Sequence, residues 1–171
     1  MNCFCYPGIV NRELAQLFRV DPETIPQFGV DGAVPLLDGT RDTTEIDMRL
    51  GSTNVEAKLT EVDFTQCAKP RLERYAGLDD IFDRSRLPLD GDEYLSYQLI
   101  RNVLAIARRP ESRFVVLLDA RRPDLLREWW KLFSTIRDGG VRDRCSFILW
   151  QEVAAAAPRA LRKFLGEKYG L

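Results

Sequence analysis

Two acidic residues and one lysine, spaced along two neighbouring stretches of the sequence, are the clearest candidates for chemistry. Asp47 lies in one stretch of alternating polar and apolar residues, and Glu56 and Lys58 lie in the next. Between the two stretches stand Gly51 and Ser52, a pair that favours a two-residue type II′ hairpin turn. Because alternate side chains of a strand point to the same face of a sheet, we expect all three charged residues on one face.

The register of this hairpin can be counted outward from the turn. The predicted partners are Leu50 with Thr53, Arg49 with Asn54, Asp47 with Glu56, and Glu45 with Lys58. Two carboxylates directly opposite each other repel, whereas a divalent cation between them would turn the repulsion into binding, since carboxylate oxygens suit Mg²⁺ or Mn²⁺. Lys58 would then orient a water molecule or stabilise charge on a phosphate. The alternative is a solvated strand face on which Glu45 pairs with Lys58.

The elements that would position these residues are predicted from hydrophobic spacing and from proline and glycine. Helical spacing predicts a helix over 11–20 capped by Asn11, short helices within 68–86, and longer helices over 93–108, 123–136 and 158–165. Strands are predicted over 43–50, 53–61, 114–118 and 146–150, with a short one near 33–37. This order predicts an α/β fold with a mixed central sheet, an antiparallel hairpin and flanking helices, in a single domain over 1–171.

A known signature matches the same residues. Asp47, followed by Glu56, Ala57 and Lys58, resembles the D…ExK signature of the PD-(D/E)XK, or restriction endonuclease-like, nuclease superfamily. The predicted order of helices and strands is similar to that superfamily from about residue 11 to the C-terminus. The sequence departs from the pattern at Ile46, where the proline of the signature would stand. It also has asparagine at 102, where one branch has a tyrosine.

The resemblance implies a restriction endonuclease-like core and a Mg²⁺-dependent, or Mn²⁺-dependent, deoxyribonuclease acting on DNA. It implies that Asp47 and Glu56 hold the metal ion and that Lys58 serves the hydrolytic water. It also implies Glu13, in the first helix, as a further metal ligand and Gln98 as a polar helix residue near the site. An exposed helix residue is the alternative for Glu13, and the polar stripe of an amphipathic helix is the alternative for Gln98. Whether two chains form a homodimer to cut both strands stays open.

Composition limits the other functions. The chain contains no histidine, which excludes imidazole chemistry, and its formal net charge is −1. This near-neutral charge keeps open a second hypothesis, a catalytically inactive nuclease-fold module that binds nucleic acid or protein. No stretch is apolar enough to span a membrane and no export signal is evident, so a cytoplasmic, reducing location is expected, with free cysteines. A third hypothesis is a thiol or metal centre at Cys3 and Cys5.

Overall fold

The computed structural model describes residues 4–5 and 8–171, in which short strands and helices alternate along the chain. The helices are Arg12–Phe18 (α1), Lys69–Leu72 (α2), Leu78–Ile81 (α3), Tyr97–Ala107 (α4), Pro123–Phe133 (α5), Gly139–Arg142 (α6), Trp150–Ala156 (α7) and Arg159–Tyr169 (α8). The strands are Val30–Asp31 (β1), Val34–Pro35 (β2), Arg41–Asp42 (β3), Glu45–Ile46 (β4), Met48–Leu50 (β5), Thr53–Ala57 (β6), Cys67–Ala68 (β7), Leu89–Asp90 (β8), Glu93–Tyr94 (β9), Arg113–Leu118 (β10) and Cys145–Leu149 (β11).

A four-stranded mixed sheet lies at the centre, with the strand order β11-β10-β6-β5. Strands β5 and β6 form an antiparallel hairpin, whereas β6, β10 and β11 run parallel. The continuous apolar run of β10 is explained by its position, because it lies between β6 and β11 and is buried from Phe114 to Leu118. The predicted fold class is therefore confirmed, with a mixed sheet, an antiparallel hairpin and flanking helices.

Each face of the sheet is covered by its own apolar core. On one face, Met48, Leu50 and Val55 pack with apolar residues of α1, α7 and α8. On the other face, Phe114 and Val116 pack with apolar residues of α4 and α5. The alternation of side chains along β6 therefore points its even-numbered residues toward the side of α4. Glu56 and Lys58 lie at even-numbered positions, so this geometry directs both side chains toward α4.

The hairpin turn forms as the sequence predicts. Gly51 has a φ of 55° and Ser52 has no positive φ, a combination that fits a type II′ turn and not type I′. The first predicted partners are confirmed, since Leu50 faces Thr53 in the ladder. The register continues through the pairs Arg49 with Asn54 and Met48 with Val55.

Beyond that point the predicted pairing of Glu45 with Lys58 is wrong. The predicted strand over 43–50 is interrupted at Asp47, and Glu45 pairs instead with Asp31 of β1 in a separate two-stranded sheet. The strand predicted over 53–61 likewise ends at Ala57. Lys58 therefore does not lie on a solvated strand face paired with Glu45.

The predicted helices over 93–108 and 158–165 differ most from the observed limits. The helix predicted over 93–108 begins at Tyr97, because Glu93–Tyr94 is taken up as β9 between β7 and β8. The last helix runs past Gly166 to Tyr169 and ends at Gly170, whose φ of 65° suits a glycine cap. In the part of the chain that the structure describes, no helix has the length and apolarity needed to cross a membrane.

Candidate functional site

Glu56 and Lys58 form an ion pair on the face of β6 that meets α4. The Lys58 Nζ lies 3.2 Å from Glu56 Oε1 and donates a hydrogen bond of 2.8 Å to Gln98 Oε1. Asn102 Nδ2 donates to Glu56 Oε2, also at 2.8 Å. Because Gln98 and Asn102 are four residues apart, they lie on the same face of α4 and reach the pair together.

The start of α4 is fixed next to the sheet. The backbone N–H groups of Tyr97 and Gln98 donate to the carbonyls of Thr65 and Phe64, at 3.0 Å each. These two bonds satisfy backbone donors that a helix start leaves without intrahelical partners. The loop that follows β6 thereby holds Gln98 where it can accept from Lys58.

Burial gives this ion pair unusual electrostatics. Glu56 is 1% exposed and Lys58 is 4% exposed. Burial raises the pKa of Glu56, the negative charge of Asp47 raises it further, and Lys58 and Asn102 lower it. Glu56 Oε1 is buried and makes no hydrogen bond within the described part of the chain. One oxygen of this carboxylate therefore depends on a neighbouring positive charge alone.

Asp47 lies at the point where the hairpin ladder ends. Its Oδ2 accepts a hydrogen bond of 3.0 Å from the backbone N–H of Ala57, two residues beyond the last ladder pair, Met48 with Val55. The side chain thus takes the place of a strand partner, which explains why the strand is interrupted there. Asp47 is half-buried, and its charge acts on Glu56 although the two are not paired in the ladder.

A cavity of about 390 Å³ opens beside Asp47, between the hairpin and the C-terminal helix α8. Trp150, at its base, donates from Nε1 to the carbonyl of Lys58 at 3.1 Å. Lys168 lies over the rings of Phe164 and Tyr169, at 5.4 and 5.2 Å from their centroids. The cavity is therefore lined by the carboxylates of Glu45, Asp47 and Glu61 and by the Lys168 amine with its two aromatic rings, whereas Glu56 and Lys58 do not line it.

The structure brings together four of the five residues singled out from the sequence. Asp47, Glu56, Lys58 and Gln98 form one cluster, while Glu13 lies on the exposed surface of α1, outside the residues that line the cavity. The cluster also contains Asn102, which in the sequence stands out only as a departure from a family pattern. Its position four residues after Gln98 was the available signal.

Among the described residues, Cys5, Cys67 and Cys145 make no comparable cluster. Cys3 lies outside the described residues, Cys5 is an exposed free thiol, and the thiols of Cys67 and Cys145 are free and buried. Burial raises the pKa of Cys145 to about 12. Within residues 4–5 and 8–171, no group of three or more His, Cys, Asp or Glu side chains is arranged to hold a metal ion. Two further carboxylates, Glu45 and Glu61, line the cavity at Asp47, and although burial raises the pKa of Glu61, the charge of Lys58 helps to lower it.

The mixed sheet, its antiparallel hairpin and the flanking helices are consistent with a restriction endonuclease-like fold. A family model described as "Restriction Endonuclease associating with ARP" matches residues 1–170. Because the match covers nearly the whole chain, the protein belongs to this family. No curated protein and no solved structure matches the chain.

Proposed function

We propose that the protein is a Mg²⁺-dependent deoxyribonuclease of the PD-(D/E)XK type. In this proposal Asp47 and Glu56 hold the metal ion, and Lys58 positions the water that attacks a DNA phosphodiester. The observation that carries it is the buried Oε1 of Glu56, which makes no hydrogen bond of good geometry among the described residues and lies 3.2 Å from the Lys58 ammonium, while the charge of Asp47 acts on the same carboxylate. Membership of a family named for restriction endonucleases supports the same chemistry.

The residues fit a divalent cation in type and charge. Asp47 and Glu56 offer hard oxygen donors, which Mg²⁺ and Mn²⁺ prefer. Burial, and then the negative charge of Asp47, raise the pKa of Glu56, and a bound cation would offset both effects. A bound Mg²⁺ would act as a Lewis acid and lower the pKa of a coordinated water.

The chain itself would hold and orient the reacting groups. Asn102 fixes one oxygen of Glu56, so that the other oxygen faces Lys58. Gln98 holds the Lys58 ammonium by a neutral acceptor, which leaves the positive charge available to a water or a phosphate oxygen. The backbone N–H of Ala57 fixes Asp47. We assign no role in the reaction to Glu13, which lies on the exposed surface of α1.

Cleavage of plasmid DNA tests this proposal. Purified protein is incubated with supercoiled plasmid in Mg²⁺, in Mn²⁺ and in EDTA, as wild type and as Asp47→Asn and Lys58→Met. The asparagine side chain keeps an oxygen that can accept from Ala57, and methionine keeps the length of the lysine stem, so both changes remove charge more than shape. We expect metal-dependent nicking that falls at least about a hundredfold in both variants.

Matched controls remove the same charges elsewhere. Asp143→Asn alters an exposed aspartate after α6, and Lys163→Met alters a lysine of α8 whose side chain is 73% exposed. Both controls should cut like the wild type. Nicking that survives Asp47→Asn and Lys58→Met, or that persists in EDTA, would show that the activity belongs to a contaminant or to another site.

One observation favours a second candidate, a nuclease-fold module without catalysis. The Glu56 and Lys58 charges neutralise each other in a buried pair, and neither residue lines the cavity at Asp47. In such a module, Glu56 and Lys58 would stabilise the fold and would take no part in binding the partner. DNA binding without cleavage in any metal, together with no Mn²⁺ binding in calorimetry, would select it over the nuclease.

A further inference from the structure

A second cavity, away from Asp47, has three arginines among its seven lining residues. Its volume is about 260 Å³, and its walls come from β3, α2 and the turn after α2. Arg41, Arg71 and Arg74 line it, and all three are exposed. Arginine has a planar fork of donors that suits phosphate oxygens, and three of them around one small space make a strongly positive concavity.

Little negative charge balances these arginines. In the described part of the chain, Arg41 and Arg71 form no ion pair, and Arg74 reaches only the exposed carboxylate of Asp38, at 3.7 Å. The guanidinium of Arg71 lies instead over the ring of Tyr97, at 4.9 Å from its centroid. The cavity therefore carries an excess of positive charge.

The carboxylate of Asp42, which also lines the cavity, is already engaged. Its Oδ1 accepts from the backbone N–H of Thr44 at 2.9 Å and from the Thr44 hydroxyl, and its Oδ2 accepts from the hydroxyl of Tyr75. Burial raises the pKa of Asp42, but these hydrogen bonds outweigh burial, so that the pKa is lowered. Asp42 is thus a charged anchor for its own loop and cannot turn to the arginines without losing those bonds.

A further positive charge is buried behind this cavity. Arg101 of α4 is 7% exposed and lies over the Tyr97 ring, at 5.4 Å from its centroid. It forms no ion pair within residues 4–5 and 8–171. The hydroxyl of Tyr97, the ring under Arg101, lies 2.6 Å from the hydroxyl of Tyr75. Tyr75 in turn lines the cavity. The charge of Arg101 helps to lower the pKa of Asp42, and the rest of its field adds to the attraction for an anion.

We propose that the arginine cavity formed by Arg41, Arg71 and Arg74 binds a phosphate group. A phosphate brings up to two negative charges and several acceptor oxygens, which match the forked donors of three guanidinium groups. The group could be a terminal phosphate of a nucleic-acid strand or a free phosphate compound, since both present the same oxygens. This binding requires no hydrolysis, so it can be tested whether or not the nuclease proposal holds.

Helix α4 places this cavity next to the candidate active site. Tyr97 and Arg101 face the arginine side, while their neighbours Gln98 and Asn102 hold Lys58 and Glu56. One face of α4 therefore borders the arginine cavity, and the adjacent face borders the candidate active site. A strand whose terminal phosphate is held at the arginine cavity would be fixed relative to Glu56.

Binding measurements in EDTA test the site without any cleavage. The probes are inorganic pyrophosphate in calorimetry, and a labelled single-stranded oligonucleotide in fluorescence anisotropy, with either a 5′-phosphate or a 5′-hydroxyl. The variants are Arg41→Gln and Arg71→Gln, with Arg71→Lys to separate charge from the fork. The control is Arg142→Gln, which removes an exposed arginine of α6. Because the altered side chains are exposed, thermal unfolding should stay close to the wild type.

We expect each glutamine variant to weaken phosphate binding by at least about tenfold, the lysine variant to lose less, and the control to lose nothing. Tighter binding of the 5′-phosphate strand than of the 5′-hydroxyl strand identifies a strand end as the source. Pyrophosphate binding without that preference identifies a free phosphate compound. An equal loss in Arg142→Gln, or no binding of any phosphate probe, overturns the proposal.

Discussion

Removing Lys58 should expose how much the fold depends on the buried ion pair. In Lys58→Met the carboxylate of Glu56 stays buried beside Asp47 and keeps only the hydrogen bond from Asn102. Breaking one side of a buried ion pair costs about 3–5 kcal/mol, and the lost bond to Gln98 is part of that cost. For a chain of this size the loss corresponds to a fall in Tm of roughly 10 °C.

A double variant separates the pair from the rest of the site. In Lys58→Met with Glu56→Gln, no buried charge is left alone, and the glutamine can still bond to Asn102. We expect the double variant to lose about 1–2 kcal/mol, less than Lys58→Met alone. Urea unfolding at pH 7, followed by circular dichroism, measures all three free energies. Lys163→Met, with a side chain that is 73% exposed, should change stability by less than about 0.5 kcal/mol.

The pH dependence of Lys58→Met has a definite sign. Burial and Asp47 already raise the pKa of Glu56 above its value in the unfolded chain, and removing Lys58 takes away a charge that lowers it. A group with a raised pKa in the folded state is favourable below its unfolded pKa, about 4.3, and loses that advantage as pH rises through the folded pKa. The variant should therefore approach wild-type stability near pH 4 and fall behind it at pH 7. A constant difference at all pH values, or a double variant that loses as much as the single one, would refute this account.

The remaining predictions concern Asp119 and two tryptophans. Hydrogen bonds from Arg121, as side chain and backbone, hold the pKa of Asp119 at about 2, so its contribution is complete above about pH 4 and is lost as pH falls toward 2. Asp119→Asn should destabilise the protein at pH 7 by about 1–2 kcal/mol and hardly at all at pH 2, by urea unfolding. Trp129→Ala, at 1% exposure, should cost about 3–5 kcal/mol, whereas Trp130→Ala, at 52%, should cost less than about 1 kcal/mol; equal losses would show that the core is not packed as described.

The hairpin could be predicted because its signals are local. The turn at Gly51 fixes the register over the next three pairs, and the alternation of polar and apolar residues extends it. The end of the ladder at Asp47 could not be predicted, because it depends on β1. This strand lies in a segment rich in glycine and proline, and it pairs with Glu45. Pairing between distant segments leaves no periodic signal in either of them.

The residues of the candidate site could be predicted in part, again from local signals. The signature residues Glu56 and Lys58 could be identified from type and spacing alone. Their burial could not, since it results from α4 packing on β6, and the sequence does not state which face of a helix meets which strand. Asn102 was overlooked because a polar residue on an amphipathic helix usually faces solvent, whereas here it is 2% exposed.

Burial of the ion pair links the two candidate functions through charge balance. In the metal-free protein, the positive charge of Lys58 opposes the rise in the pKa of Glu56 that burial and Asp47 cause. A cation bound at Glu56 and Asp47 would take over that role, and Gln98 already offers the lysine a neutral acceptor. In the nuclease, Mg²⁺ should therefore stabilise the folded chain, and should stabilise Lys58→Met more than the wild type, because no ammonium competes for the carboxylate. In a module without catalysis the same pair is permanent, and Mg²⁺ should leave the unfolding of both proteins unchanged.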